Sequence, residues 1–393
     1  MRIGEVRMVQ VNITYDADEP RMRRLRFSIR EKDDISPIEF QVSFKQKDWR
    51  AIETFITGMD NISDRAATLR RAGKLSELSR VNGSARTRVE KFGKKFFKLL
   101  PQNFEGYGKT FDTVFGKEFQ LSLGLDGFTR RIPWELIFDK AFGWTLAIHY
   151  AVGRIVAIPN TERADVKGLR PKKRALIVGL DYNWDPDESH HLYGTLGEVA
   201  WVEKRLKQLG YVPKVLFNEE ADLENVTKWL RSGVRIFHFT GHGGCSKKAD
   251  EGFHGLLELY KDDPEDPSGF YLDLTEGWLT DCFNDAGRSP WFVFLNACQT
   301  AKEIHSSHMV EEFIAYGATH IIGTLWSVRD EPASDFAKAF YDNVLADKKR
   351  SIGEALRMTR YRFSRKKENA EAVTWPAFIL YGNPETPFKR APQ

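Results

Sequence analysis

Apolar residues stand at every second position in three short runs near the amino terminus, EVRMVQVNIT (5–14), MRRLRFSIR (22–30) and IEFQVSFK (38–45). Period two predicts half-buried antiparallel strands. The period changes at Asp48. Residues 48–59 and 63–80 take helical spacing, and ARTRVEKFGKKFFKLL (85–100) brings Val89, Phe92, Phe96 and Leu99 or Leu100 onto one face. The opposite face is rich in Lys and Arg. A core-packed helix with a solvated back is the favoured reading, over a membrane-surface or nucleic-acid face. Strand signals return in FQLSLGL (119–125), RIPWELIFD (131–139) and WTLAIHYAVGRIVAIP (144–159).

From residue 174 onward, strand and helix alternate. RALIVGLDY (174–182) is a continuous apolar run of the kind buried on both faces. GTLGEVAWVEKRLKQLGY (194–211) is an amphipathic helix ending at Gly210. VPKVLF (212–217) is a second strand, and DLENVTKWLRSG (222–233) a helix with Gly233 past its end. Further strands are VRIFHFTGHGG (234–244), WFVFLNAC (291–298), THIIGTLW (319–326) and TWPAFILYGNP (374–384), interleaved with the helix SHMVEEFIAYGA (307–318) and two more. This alternation predicts an α/β fold, a mostly parallel sheet flanked by helices on both faces. Right-handed crossovers then set every parallel strand's carboxyl end on one edge, where such sheets bind ligands. The polar stretch TERADVKGLRPKKR (161–174) reads as a connector and sets a domain boundary near residue 170. No repeat with a period of roughly 20–50 residues interrupts this pattern.

Composition narrows the classes. At 393 residues the chain holds two or three domains. A net charge of +4 is too small to mark a nucleic-acid-binding protein. No window reaches the roughly 20 apolar residues of a membrane span, and the amino terminus lacks the apolar run of a signal peptide. Three cysteines cannot build a disulfide framework, and one must stay unpaired, which suits a reducing, cytoplasmic setting.

Two strand ends carry the candidate chemistry. His242 follows the third strand of the second half, and Cys298 ends the fourth, 56 residues later. If those strands are neighbours, both side chains emerge at one sheet edge, the arrangement a Cys–His dyad needs. A free thiol has a pKa near roughly 8.5, and only the thiolate attacks well. An adjacent imidazole takes the proton and returns it to a leaving amine. Gly241, Gly243 and Gly244 let the backbone approach a substrate closely. Main-chain N–H groups there, with that of Cys298, are candidates for an oxyanion hole. Spacing near ~50 residues is also that of caspases, whose Q-A-C-[RQG]-G signature is partly matched by Asn296-Ala297-Cys298-Gln299-Thr300. Weaker candidates are His238 with Cys245 as metal ligands, against a packed core histidine, His305 and His308 as loop and cap residues, and Cys282 as a packed helix position. The acidic run DYNWDPDESHH (181–191) reads as a surface loop in preference to a metal loop. It also lacks the glycines that a phosphate-binding turn requires, which argues against a flavodoxin-like nucleotide site.

RIPWELIFD, FHFTGHGG, FVFLNACQTA and WPAFILYGNP, in that order along the chain, resemble the CHAT family, caspase-like cysteine peptidases of the separase and metacaspase clan. The resemblance covers roughly residues 118–385. It implies His242 as base, Cys298 as nucleophile, and the amides of Gly243 and Cys298 as oxyanion donors. It implies an amino-terminal half resembling a second, non-catalytic caspase-like lobe. Metacaspases commonly carry Asp two residues before the nucleophile, where it helps bind a basic side chain; Asn296 stands there as the corresponding substrate contact, which argues against a strongly basic-specific pocket. Glu198 matches an acid on the first helix that faces the cleft in relatives, so it reads either as a contact for a substrate Lys or Arg or as a solvent-facing helix carboxylate. Asp181, at the same edge, is either a further substrate contact or a cap for the next helix.

The expected domains are therefore residues 1–115 (an α+β region, regulatory), 116–170 (the rest of the non-catalytic lobe and a linker) and 171–393 (the catalytic caspase-like domain). The long insertion GCSKKADEGFHGLLELYKDDPEDPSGF (244–270), with GLLELY as a short strand, is expected to be a mobile lid beside His242. The activity expected is that of a cysteine endopeptidase acting on protein substrates through an acyl-enzyme, with no metal or organic cofactor and no membrane or direct nucleic-acid partner. The resemblance further implies an activating protein partner in a prokaryotic defence system. The competing reading from another class is a catalytically silent interaction module on the same fold.

Overall fold

The computed structural model describes residues 7–16, 24–31, 38–97, 119–139, 144–156, 173–185, 188–248, 252–261, 271–301, 309–347, 349–365 and 373–388. The chain divides into two compact units. The first is Met1–Ala157 with Lys349–Pro376 and Leu380–Pro387; the second is Ile158–Lys348 with Ala377–Ile379 and Phe388–Gln393. The boundary thus falls earlier than residue 170, and much of the carboxyl-terminal segment belongs to the first unit, so residues 171–393 are not one body. Local periodicity identifies an element but not the unit into which it packs.

The first unit contains β1 (Arg7–Asp16), β2 (Arg24–Glu31), β3 (Ile38–Ser43), β4 (Phe119–Leu125), β5 (Phe138–Asp139), β6 (Trp144–Thr145) and β7 (Ala151–Val156). Its main sheet runs β3-β2-β1-β4-β7. The first three strands are antiparallel, as their alternation predicts, while β1, β4 and β7 are parallel. The pairing of β1 with β4 joins regions 1–115 and 116–170 into one body. The helical spacing resolves into Gln46–Arg71 and Leu75–Phe97, broken at Ala72–Lys74, where Gly73 takes φ +67°. Met59 and Ile62 are buried within the first helix, which continues unbroken past the expected end at Met59. Val89, Phe92 and Phe96 are buried, and Phe92 stacks on Phe55 with ring centroids 4.1 Å apart. Burying each such side chain contributes about 1.5–3 kcal/mol. Leu99 and Leu100 lie outside the described residues.

RIPWELIFD differs from the strand expected of it. Pro133 has no N–H to give a ladder, and the segment turns through the 3₁₀ helices Thr129–Arg131 and Trp134–Leu136 before β5. Glu135 is buried there against Arg154 of β7, with Arg154 Nε to Glu135 Oε1 at 2.7 Å and Nη2 to Oε2 at 2.6 Å. Burial works to raise the Glu135 pKa, but the Arg154 and Arg360 guanidiniums hold it below the ordinary carboxylate value. The run 144–159 is likewise interrupted, by the short helix Leu146–His149 between β6 and β7.

The second unit contains β8 (Arg174–Gly179), β9 (Val212–Phe217), β10 (Ile236–Thr240), β11 (Gly243–Lys248), β12 (Gly252–Tyr260), β13 (Tyr271–Thr275), β14 (Phe292–Asn296) and β15 (His320–Thr324). The sheet order is β9-β8-β10-β14-β15, every pair parallel. All residues of β10, β14 and β15 are buried, so their apolar runs answer to two covered faces. Helix Thr195–Gln208 packs against Asp330–Ala346, tied by Trp201 Nε1 and Arg205 Nε donating to Asp342 Oδ1 at 3.0 and 2.8 Å. Helix Leu223–Arg231, capped by the Asp222 carboxylate on the Asn225 N–H at 2.7 Å, packs against Glu276–Ala286. The insertion after Gly243 also departs from expectation. GLLELY lies within β12 as expected, and the insertion adds a second strand, β11; both form an antiparallel sheet with β13. Residues 249–251 and 262–270 of the expected lid lie outside the described set. Among the described residues, no helix is long and apolar enough to cross a membrane.

Candidate active site

Thr240, the last residue of β10, pairs in register with Asn296, the last of β14. His242 and Cys298 each stand two residues past that pair, so the neighbouring strands deliver both to one edge of the sheet. The turn after β14 is sharp. Gln299 takes φ +57°, unusual for a residue with a Cβ. The turn is pinned by Thr324, whose Oγ1 donates to the Ala297 carbonyl at 2.6 Å, and by the Thr324 carbonyl, which accepts from the Ala301 N–H at 2.9 Å. Cys298 is half-buried, and its thiol donates to the Val328 carbonyl at 3.7 Å. Gly243 lies against this turn. A Cβ on it would come within 2.8 Å of Ala297 Cβ and 3.3 Å of the Cys298 carbonyl oxygen, so the close approach requires glycine.

His242 is gripped on three sides. Its N–H donates to the Tyr182 hydroxyl at 2.8 Å, and its carbonyl accepts from the Glu258 N–H of β12 at 3.1 Å. Its Nε2 lies 2.7 Å from the His190 carbonyl oxygen. A carbonyl only accepts, so Nε2 carries the hydrogen and Nδ1 keeps its lone pair. His190 is itself held by Asp185, with Nδ1 to Oδ2 at 2.7 Å. The Tyr182 ring lies 4.4 Å from the imidazole, and Tyr182 takes φ +56° to bring it there. Burial pushes the Tyr182 hydroxyl well above its ordinary pKa, with Glu258 and Cys298 adding to the effect, so it stays neutral. Burial also lowers the His242 pKa below 6.5, opposed by the hydrogen bond to His190 and by the Asp185 carboxylate. The imidazole is therefore neutral at pH 7, the form that accepts a proton.

The remaining expected residues fall into a different arrangement. Glu198 is fully buried. Asn296 Nδ2 donates to both its oxygens at 2.9 and 2.7 Å, Thr240 Oγ1 donates at 3.1 Å, and His238 Nε2 lies at 3.0 Å. The other ring nitrogen of His238 is 3.3 Å from the Tyr341 hydroxyl. The expected contact of Glu198 and Asn296 with a substrate is corrected accordingly: both are buried beneath the strand ends, their donors and carboxylate turned on each other. His238 serves as a core histidine with both nitrogens occupied. Asp181 does not cap the next helix, whose Gly194 N–H goes to Asp330 Oδ2 at 2.7 Å. Its Oδ1 accepts from the Asn183 N–H at 3.1 Å and from Asn218 Nδ2 at 2.9 Å, fixing the turn after β8. Cys282 is buried, its thiol pushed up to about 11 chiefly by burial. Among the described residues, no group of three or more His, Cys, Asp or Glu has the arrangement of a metal site. His305, His308 and the side chain of Cys245 lie outside the described set.

Sequence reasoning missed Tyr182, Asp185 and the His190 carbonyl. All three lie in the acidic run read as a surface loop. A main-chain carbonyl carries no signature in the residue type, and only the aromatic position just past β8 hinted at packing there.

The CHAT domain family profile matches residues 112–383. No curated protein matches the sequence. Among solved structures, the separase–securin complex of Saccharomyces cerevisiae is similar with a TM-score of 0.57 at 11% identity, covering 97% of this chain and 30% of that one. A second structure of that complex gives a TM-score of 0.54 at 11% identity, covering 95% and 30%. The RgpB pro- and mature-domain complex of Porphyromonas gingivalis gives 0.48 at 13% identity, covering 78% and 71%. The chain thus shares a fold with separase while spanning about a third of its length. A family match over more than half the chain, together with strand-end motifs in the order that the family carries them, establishes that the chain belongs to the CHAT domain family.

Proposed function

We propose that the chain is a caspase-like cysteine endopeptidase acting through a His242–Cys298 dyad. The observation that carries this reading is the register of β10 with β14, which sets the imidazole and the thiol two residues past paired strand ends with Gly243 against the Cys298 turn. In the first step the thiol turns off the Val328 carbonyl and gives its proton to His242 Nδ1. The sulfur forms a bond to the scissile carbonyl carbon, whose oxygen takes the negative charge. The amides of Gly243 and Cys298 are the donors to that oxyanion, and each such donor is typically worth about 3 kcal/mol. Collapse breaks the C–N bond, and the amine leaves with the proton from the imidazolium, leaving an acyl-enzyme. Water, deprotonated by the neutral imidazole, then releases the acid and restores the thiol. The His190 carbonyl keeps the base in one tautomer through this cycle, the part a third group plays in nucleophile–base–orienter triads.

Control by a protein partner, in a prokaryotic defence setting, is part of the proposal. It is supported by the family resemblance and by the fact that the similar yeast separase is described in complex with securin. The test is labelling by a thiol-reactive peptide electrophile, comparing the unaltered chain with Cys298→Ala and His242→Ala. A functioning dyad gives labelling at Cys298 that falls by about a hundredfold without the base. Equal labelling of Cys282 and Cys298, indifferent to His242, would leave a silent interaction module.

A further inference from the structure

The helical hairpin of the first unit carries a charge that its packing does not use. Residues 46–97 contain twelve Lys and Arg against six Asp and Glu, a net of +6, where the whole chain carries +4. Part of this excess converges. Gly58, Asn61, Ile62 and Arg65 share a face of helix Gln46–Arg71, and Arg80, Ser84 and Arg88 share a face of helix Leu75–Phe97, at the three- and four-residue steps that align side chains on a helix. The two faces together line an open groove of about 580 Å³ that also takes in Glu77 and Val81.

Three features separate this groove from an ordinary solvated helix back. Arg65, Arg80 and Arg88 are exposed, and none has an ion-pair or hydrogen-bond partner among the described residues. The one carboxylate of the lining, Glu77, is drawn off toward Lys74 at 3.8 Å. Gly58 is the third feature. The space left by its missing side chain is taken by the flexible tip of Arg88, whose Nη1 a Cβ there would meet. Three unneutralised guanidiniums repel one another. Gathering them into one concavity is favourable when an anion of matching geometry lies between them, and planar guanidinium forks match phosphate oxygens bidentately. The volume falls in the range of pockets that enclose a small molecule.

We propose that this groove binds a small ligand bearing two or more phosphate groups, held by Arg65, Arg80 and Arg88 with Ser84 and Asn61 as neutral donors. The inference does not depend on the proteolysis reading. It is tested on the full chain by calorimetric titration with inorganic pyrophosphate and, separately, with ATP, which distinguishes bare phosphate recognition from recognition of an attached nucleoside. Saturable one-to-one binding of either is expected. Arg80→Ala/Arg88→Ala should weaken it by about tenfold or more. Lys91→Ala/Lys95→Ala removes the same charge from exposed positions outside the groove and should leave it within about twofold. No saturation at millimolar ligand would overturn the proposal. So would equal losses in the arginine and lysine variants. Binding of single-stranded RNA without binding of either small ligand would also overturn it, in favour of a polynucleotide surface.

Discussion

Asn296 occupies the position where the resembling metacaspases carry Asp, and its neighbour gives the reason. The amide spans both oxygens of buried Glu198. A carboxylate in its place would set two like charges in contact away from water, and one would have to hold a proton. Asn296→Asp should therefore cost stability, and more so as pH rises. The new group's folded pKa lies above its unfolded value, so stability is lost above the unfolded pKa. Melting temperatures compared near pH 5 and near pH 8 read this directly; an equal drop at both would show the second charge to be tolerated. A second residue-scale expectation concerns His242. Its pKa is lowered by burial, and in the proposed dyad it works unprotonated, so the acid limb of kcat/KM should lie below the ordinary imidazole value of 6.5. Asp185 acts to raise that pKa, so Asp185→Asn should move the limb to still lower pH. A shift to higher pH would contradict the assignment of His242 as base. Strand-end position and residue type suffice to nominate His242, Gly243 and Cys298 in the sequence, and β10 and β14, which precede them, pair in register. Glu198 was legible as a carboxylate on the right helix but not as a buried one. Whether a helical residue faces solvent or core here depends on helix Asp330–Ala346, which contributes Tyr341 more than a hundred residues away.

At the scale of elements, the two units each bury a polar cluster against a parallel strand. In the first unit, Glu135 on a 3₁₀ turn holds the fully buried Arg154 of β7. Glu135→Ala leaves Arg154 and Arg360 without their carboxylate and should destabilise the chain by about 3–5 kcal/mol. An unfolding free energy from urea titration lowered by less than a quarter of that would mean water reaches the guanidiniums. Strand and helix types were read well wherever period and length agreed. β8, β10, β14 and β15 are the apolar runs that the sequence marked, while their neighbour order is seen only in the folded sheet. The failures share a cause. Residues 132–137 and most of 145–156 are buried and largely apolar, and burial without clear periodicity does not distinguish a strand from turns. In the segment after Gly243, the apolar run GLLELY marked β12, but polar composition concealed its partner β11, whose ladder is made by backbone groups that composition does not register.

For the whole molecule, the consequential finding is that Lys349–Pro376 belongs to the first unit. Helix Ile352–Ser364 reaches that unit through Arg357 Nη1 to the Ile148 carbonyl at 3.2 Å, and the Ile352 N–H bonds to the Thr386 carbonyl at 2.9 Å. A fragment of residues 1–157 therefore lacks part of its own core. It should bind a hydrophobic dye and melt without cooperativity, and co-expression with residues 349–388 should restore a cooperative transition. A cooperative melt of 1–157 alone would place the boundary where linear reading put it. By itself the sequence determined the alternation of strand and helix, the parallel sheet, and the residue types at its carboxyl edge, since each is written in short-range periodicity and in chemistry that local spacing can nominate. Only the tertiary structure decided which strand ends sit in register, that Glu198 faces Asn296 and not solvent, that a main-chain carbonyl fixes the imidazole, and that the carboxyl-terminal helix returns to the first unit. Those outcomes depend on contacts between residues tens to hundreds of positions apart, whose free energy comes from burial and hydrogen-bond closure that no local window contains.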